Sequence, residues 1–129
     1  FGDVVFDQKL GATIFSTEDL FSFLAPILHP SQLLLECKEK GVFRNFQDNP
    51  QLIEKISPKS YPSISQELSS STSADVTGGM ASKVSSMLKL IEKEIGVSIQ
   101  IFSAEEPGNL LKALSGQRVG TLLSYEQHN

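Results

Sequence analysis

Six apolar residues, Met80, Val84, Met87, Leu88, Ile91 and Ile95, recur at helical spacing between the pair Gly78-Gly79 and a terminal Gly96. A stripe like this forms one face of an amphipathic helix, and that face has to be covered by another layer. Gly96 supplies the stop, because a left-handed residue there ends the helix at little steric cost. Val97, Ile99 and Ile101 then alternate with Ser98 and Gln100, the period of a strand. Helix followed directly by strand is the repeating unit of α/β architecture.

The rest of the chain extends this alternation. Val4–Phe6 and Ala12–Phe15 are β-favouring runs separated by Asp7-Gln8-Lys9-Leu10-Gly11, a spacer of hairpin length. Thr17 offers an N-cap, Glu18 and Asp19 suit the positive end of a helix dipole, and Leu20, Phe21, Leu24, Ile27 and Leu28 follow at helical spacing, with a bend or end expected near Pro26. Leu33-Leu34-Leu35 is a short continuous apolar run, as in a strand buried on both faces of a parallel sheet. A loop is expected over 41–46, a short helix over Asn109–Leu114 and a last strand over Val119–Leu123. Between Ser57 and Ser73 lie eight serines and two prolines, which reads as a surface excursion without a core role. The pattern predicts an α/β fold with a largely parallel sheet.

At 129 residues and 40% hydrophobic the chain suffices for one core, so a single domain over 1–129 is expected. The net charge of −4 lacks the basic excess that a phosphate backbone demands, so nucleic acid is not an expected partner. The longest mostly apolar stretch, Leu20–Leu28, falls well short of the roughly 20 residues of a membrane span. With a single cysteine, Cys37, and no secretory leader, a cytoplasmic location and no membrane partner are expected. Phe1-Gly2-Asp3-Val4-Val5-Phe6 reads as a strand already under way, as in a fragment of a longer protein.

The chemistry centres on Asp75-Val76-Thr77-Gly78-Gly79-Met80-Ala81-Ser82-Lys83-Val84. Two glycines before a helix let a ligand approach the backbone, and the unpaired N–H groups and dipole of the helix start favour an anion. Lys83 is out of place there on structural grounds, because the dipole opposes a cation near a helix N-terminus by about 0.3–1 kcal/mol. A bound phosphate reverses that sign. On local sequence alone, a solvated lysine after a Gly-Gly turn fits equally well.

Asp75-Val76-Thr77-Gly78-Gly79-Met80 followed by Lys83-Val84 resembles the DVTGGM-x-x-K-V segment of isopentenyl phosphate kinases, in the amino-acid-kinase superfamily. Gly2–Asp7, continuing to Gly11, resembles that family's GDVVFD hairpin. Pro107-Gly108-Asn109-Leu110, Ala113-Leu114, Gly116 and Val119-Gly120-Thr121 resemble its PGNL…AL-x-G…VGT ending. The resemblance implies the C-terminal half of a three-layer αβα sandwich with a mainly parallel sheet. It implies ATP and Mg²⁺ as cofactors, a small phosphorylated acceptor as partner, and a missing N-terminal lobe carrying most of the acceptor site. A homodimer stays open.

By the same resemblance Lys83 is the catalytic residue that contacts the ATP phosphates, and Asp75, Thr77, Gly78, Gly79 and Gly41 join it in the nucleotide site. The chain departs from the motif at Cys37-Lys38-Glu39-Lys40-Gly41-Val42-Phe43, where the family has TDVDGVY-like residues, so that two acidic positions have become lysines. Both lysines are expected near the nucleotide at a strand end, either attracting phosphate directly or, the favoured reading, with their long side chains reaching water at the mouth of the cleft. Ser16-Thr17-Glu18-Asp19 stands where the family has SGDD.

His29 and His128 lie far from Cys37 in sequence, so a metal cluster is not expected and Cys37 reads as a small residue at a strand end. Phe43 and Phe46 read as packing, with the edge of an adenine pocket as the alternative. The function implied by resemblance is ATP-dependent phosphoryl transfer, isopentenyl phosphate to its diphosphate, with the fragment alone expected to be inactive. The competing readings are a kinase of the superfamily with another acceptor, such as a nucleoside monophosphate, an amino acid or a phosphonate, and a non-catalytic nucleotide-binding module.

Overall fold

The computed structural model describes residues 2–44, 49–69, 77–94 and 96–125. The chain opens on an antiparallel hairpin, β1 (Gly2–Asp7) and β2 (Gly11–Ser16), in register Val4 to Ile14 and Asp7 to Gly11. Asp7 closes the turn, its Oδ1 accepting 2.8 Å hydrogen bonds from the amides of Lys9 and Leu10. Helix α1 (Thr17–Leu28) starts one residue earlier than expected. Ser16 is the N-cap, its Oγ accepting from the Asp19 amide at 3.1 Å while Asp19 Oδ2 accepts from the Ser16 amide. Such a reciprocal box requires a carboxylate three residues on; a cap at Thr17 would put Leu20 there. Pro26 lies inside α1, which continues to Leu28 and ends at left-handed His29, whose N–H reaches the Ala25 carbonyl.

Next come β3 (Gln32–Glu36), the short pair β4 (Phe43–Arg44) and β5 (Gln51–Leu52), and β6 (Lys55–Ile56). Helices α2 (Tyr61–Ser69) and α3 (Thr77–Lys93), β7 (Ser98–Phe102), α4 (Asn109–Leu114) and β8 (Thr121–Ser124) complete the order. The central sheet runs β3-β7-β8-β6. β3 is parallel to β7 and β6 to β8, while β7 and β8 are antiparallel. This is the expected mixed α/β arrangement with a mainly parallel sheet, although β3 lies at an edge of the four-stranded sheet rather than inside it.

The stripe of α3 supplies the core. Val84, Met87, Leu88 and Ile91 are buried together with Leu35, Ile99, Ile101 and Leu123 of the sheet, each aliphatic side chain contributing about 1.5–3 kcal/mol by leaving water. Gln100 and Phe102 point to the opposite face of β7 and are buried as well. Gln100 Oε1 accepts from the Val119 amide at 2.8 Å, so the chain after α4 covers that second face.

The serine-rich stretch differs from the expected excursion. Residues 61–69 form α2, with Ser57 and Ile64 buried and Tyr61 donating its hydroxyl to the Ala81 carbonyl of α3 at 3.1 Å. Ser57 and Ser60 bond reciprocally ahead of the helix, each amide donating to the other's hydroxyl. Local serine bonding here starts a helix instead of replacing one. Residues 70–73 lie outside the described residues, and so does Phe46.

Two motif residues set the junction between sheet and loops. Gly120 (φ +66) runs so close to the Ile101 and Lys40 carbonyls that a Cβ would lie 2.7 Å from the latter. Beside it, fully buried Thr121 accepts from the Val42 amide at 2.8 Å and donates to the Ile53 carbonyl at 2.7 Å through one hydroxyl. Thr121→Val keeps the shape and removes both bonds, leaving buried polar groups unpaired. It should cost about 2 kcal/mol in urea unfolding, and a midpoint equal to wild type would show that the hydroxyl is not a clamp.

Candidate functional site

A cleft of about 1000 Å³ opens where the start of α1, the carboxyl end of β3 and the first turns of α3 converge. Ser16–Asp19 line it from α1, Glu36–Glu39 from β3 and the residues after it, Gly79, Met80, Ser82, Lys83 and Ser86 from α3, and Glu105 from the segment after β7. Two helix N-termini thus face the carboxyl ends of neighbouring parallel strands, the place where open α/β sheets gather ligands.

The residues expected from sequence divide here. Lys83 and Gly79 line the cleft, and Gly79 is exposed with nothing within 4 Å of where a Cβ would sit. Its missing side chain therefore leaves bare backbone facing open space at the helix start. Thr77 and Gly78 open α3 just ahead of it, and Asp75 lies outside the described residues. Gly41 is elsewhere: it is buried outside the lining, and a Cβ on it would come within 2.7 Å of Leu52 Cδ1 and 2.8 Å of Thr121 Oγ1. The absence of a side chain there lets the chain pass close to Leu52 and Thr121. Phe43 sits in β4, also outside the lining.

Lys38 and Lys40 part company as well. Lys38 lines the cleft, whereas Lys40 lies outside its lining and pairs with Glu106 on an exposed surface. That pairing holds the Glu106 carboxyl below the ordinary glutamate range.

One feature escaped the sequence. Lys83 Nζ donates to Glu18 Oε1 at 2.7 Å, joining the second turn of α3 to the first turn of α1, with both side chains about three-quarters or more buried. Burial pushes the Glu18 carboxyl up, but the hydrogen bond and charge of Lys83, with the residue's own backbone amide, outweigh it and hold the group below its usual range. A cation at a helix start signals that a carboxylate is needed nearby, and Glu18 meets part of that need from within the chain. The ammonium has three N–H donors, and among the described residues Glu18 engages one of them.

Cys37 is half-buried in the cleft wall, its thiol directed to the Glu39 carbonyl at 3.2 Å. Burial, then the Glu39 charge, pushes its pKa up to about 11. A thiol so raised is a poor nucleophile at neutral pH, in keeping with a packing role.

A sequence model of the amino acid kinase family matches residues 1–103. The chain belongs to that family. Isopentenyl phosphate kinase from Methanothermobacter thermautotrophicus is 34% identical over 124 residues, covering 92% of this chain and 45% of the relative. Glutamate 5-kinase from Streptococcus thermophilus is 30% identical over 126 residues, covering 93% and 45%. Among solved structures, an isopentenyl phosphate kinase superposes with a TM-score of 0.64 at 28% identity, covering 94% of this chain and 42% of that one. Carbamate kinase from Giardia lamblia bound to AMP-PNP shares the fold at a TM-score of 0.65 and 16% identity, covering 95% and 41%. The chain spans under half the length of these kinases. No helix among the described residues is long and apolar enough to cross a membrane.

The lowered Glu18 carboxyl makes the interhelical pair dependent on pH. Its contribution to stability is complete above the unfolded value of 4.5 and is lost as pH falls through the lower folded value. Glu18→Gln should therefore lower stability near neutrality by about 1 kcal/mol, with the gap to wild type closing below pH 4.5; an equal gap at acid pH would mean that charge is not the cause. Cys37, the single cysteine, should react slowly with iodoacetamide near neutral pH and continue to accelerate until pH is about 11. A rate that levels off below pH 9 would exclude the buried thiol environment.

Proposed function

We propose that this chain is the ATP-binding half of a small-molecule kinase that transfers a phosphoryl group to a phosphorylated acceptor, isopentenyl phosphate to isopentenyl diphosphate. The observation that carries the proposal is Lys83, held by Glu18 in an open cleft at the start of α3, beside the bare backbone of Gly79. Phosphoryl transfer asks a protein mainly for positioning and for positive charge around the migrating group. Lys83 would meet phosphate oxygens with donors that Glu18 does not engage, and the α3 N-terminus would add backbone N–H groups and its dipole. Anchoring by Glu18 reduces the conformational freedom the lysine gives up when it binds.

Magnesium would accompany the nucleotide. Among the described residues no three His, Cys, Asp or Glu side chains are placed to hold a metal ion, so this part of the chain offers no cage of its own. Magnesium ordinarily keeps several waters and is held by one or two carboxylates together with substrate phosphates.

A second acceptor class remains in view, because glutamate 5-kinases match this chain at 30% identity over a similar span. The cleft described here has the features a nucleotide would use and leaves the acceptor to the rest of the protein. Assaying the full-length protein with isopentenyl phosphate and with glutamate separates the two. Lys83→Ala in the same protein should weaken ATP binding or reduce kcat at least tenfold, about 1.4 kcal/mol, with the acceptor KM changed less. Unchanged kinetics would remove the central residue of the proposal.

A further inference from the structure

The cleft is lined by five carboxylates, Glu18, Asp19, Glu36, Glu39 and Glu105, and by two cations, Lys38 and Lys83. These charges are committed unequally. Lys83 is paired with Glu18, and Asp19 is engaged in the Ser16 capping box. Glu36, Glu39 and Glu105 remain, with Lys38 the one cation of the lining that has no ion pair among the described residues. Such a lining repels a polyanion unless a positive group can turn toward it, and the repulsion is screened by salt.

We infer that Lys38 is a second phosphate-binding cation of this cleft, directed at the polyphosphate of a nucleoside triphosphate, a role that rests on the nucleotide reading above. Lys38 lies two residues beyond the end of β3, in the same lining as the first turns of α3 that carry Lys83. Its side chain is exposed and has no ion pair among the described residues, so it can swing onto a phosphate without giving up one of those contacts. Lys40, two residues further on, is already neutralised by Glu106 and lies outside the lining. The structure therefore divides a pair of lysines that look equivalent in sequence, and makes the first of them a ligand-directed group and the second a surface one.

Calorimetric titration of the full-length protein with ATP, ADP and AMP at low salt tests this, using Lys38→Ala, Lys38→Arg and Lys40→Ala. The expected result is an ATP affinity about tenfold weaker in Lys38→Ala, with AMP affinity changed less than about twofold because most of the polyphosphate is gone. Lys38→Arg should keep ATP affinity near wild type, and Lys40→Ala should match wild type for all three ligands. The salt dependence of ATP binding should also flatten in Lys38→Ala. ATP affinity in Lys38→Ala equal to wild type overturns the assignment, as does an equal loss for AMP or an equal effect of Lys40→Ala. A wild-type protein that binds no ATP would instead overturn the nucleotide reading itself, and this role with it.

Discussion

The Thr121 hydroxyl ties together three parts of the chain at one buried point. It accepts from the Val42 amide and donates to the Ile53 carbonyl, and so fastens both ends of the segment carrying β4 and β5 to the start of β8. Gly120 makes this approach feasible, because its left-handed backbone passes against the Ile101 and Lys40 carbonyls where a side chain would collide. Gly41 and Leu52 close around the same point. The residues after β3 leave the sheet from this junction, so the wall of the cleft inherits its position from a hydroxyl outside the cleft. Val119-Gly120-Thr121 thus acts as a fastening in the sheet.

What the sequence made legible was whatever a local period or a single capping residue determines. The α3 stripe, the turn at Asp7, the Asn109–Leu114 helix and the apolar β3 run each depend on neighbours a few residues away. Helix α2 was obscured because its apolar anchors, Tyr61 and Ile64, are few among serines, and because they acquire meaning only against α3. The cap of α1 was displaced by one residue because Ser16 and Thr17 are chemically alike, and the position of Asp19 decides between them. Lys83 stood out by its conflict with the helix dipole, whereas its partner Glu18 lies 65 residues away and no local pattern links them. Lys38 and Lys40 likewise separate only once Glu106 is brought beside one of them.

The cleft balances two demands on the same charges. A lysine at a helix start without an anion opposes the dipole, and one fully neutralised by a buried carboxylate has little left for a ligand. The Glu18–Lys83 pair is intermediate, partly buried and with a single hydrogen bond. Cys37 shows the other side of the same wall, where burial keeps a potentially reactive group protonated.

The Glu18–Lys83 bridge also ties the assembly of the site to the assembly of the fold. Its partners lie 65 residues apart in the chain, on helices that pack directly against one another. Closing a loop of that length carries an entropic cost that the pair alone cannot offset. Local helix formation can therefore begin early while the cleft has no electrostatic character of its own, and the arrangement of charge that a ligand meets arises late, with the docking of one helix on the other.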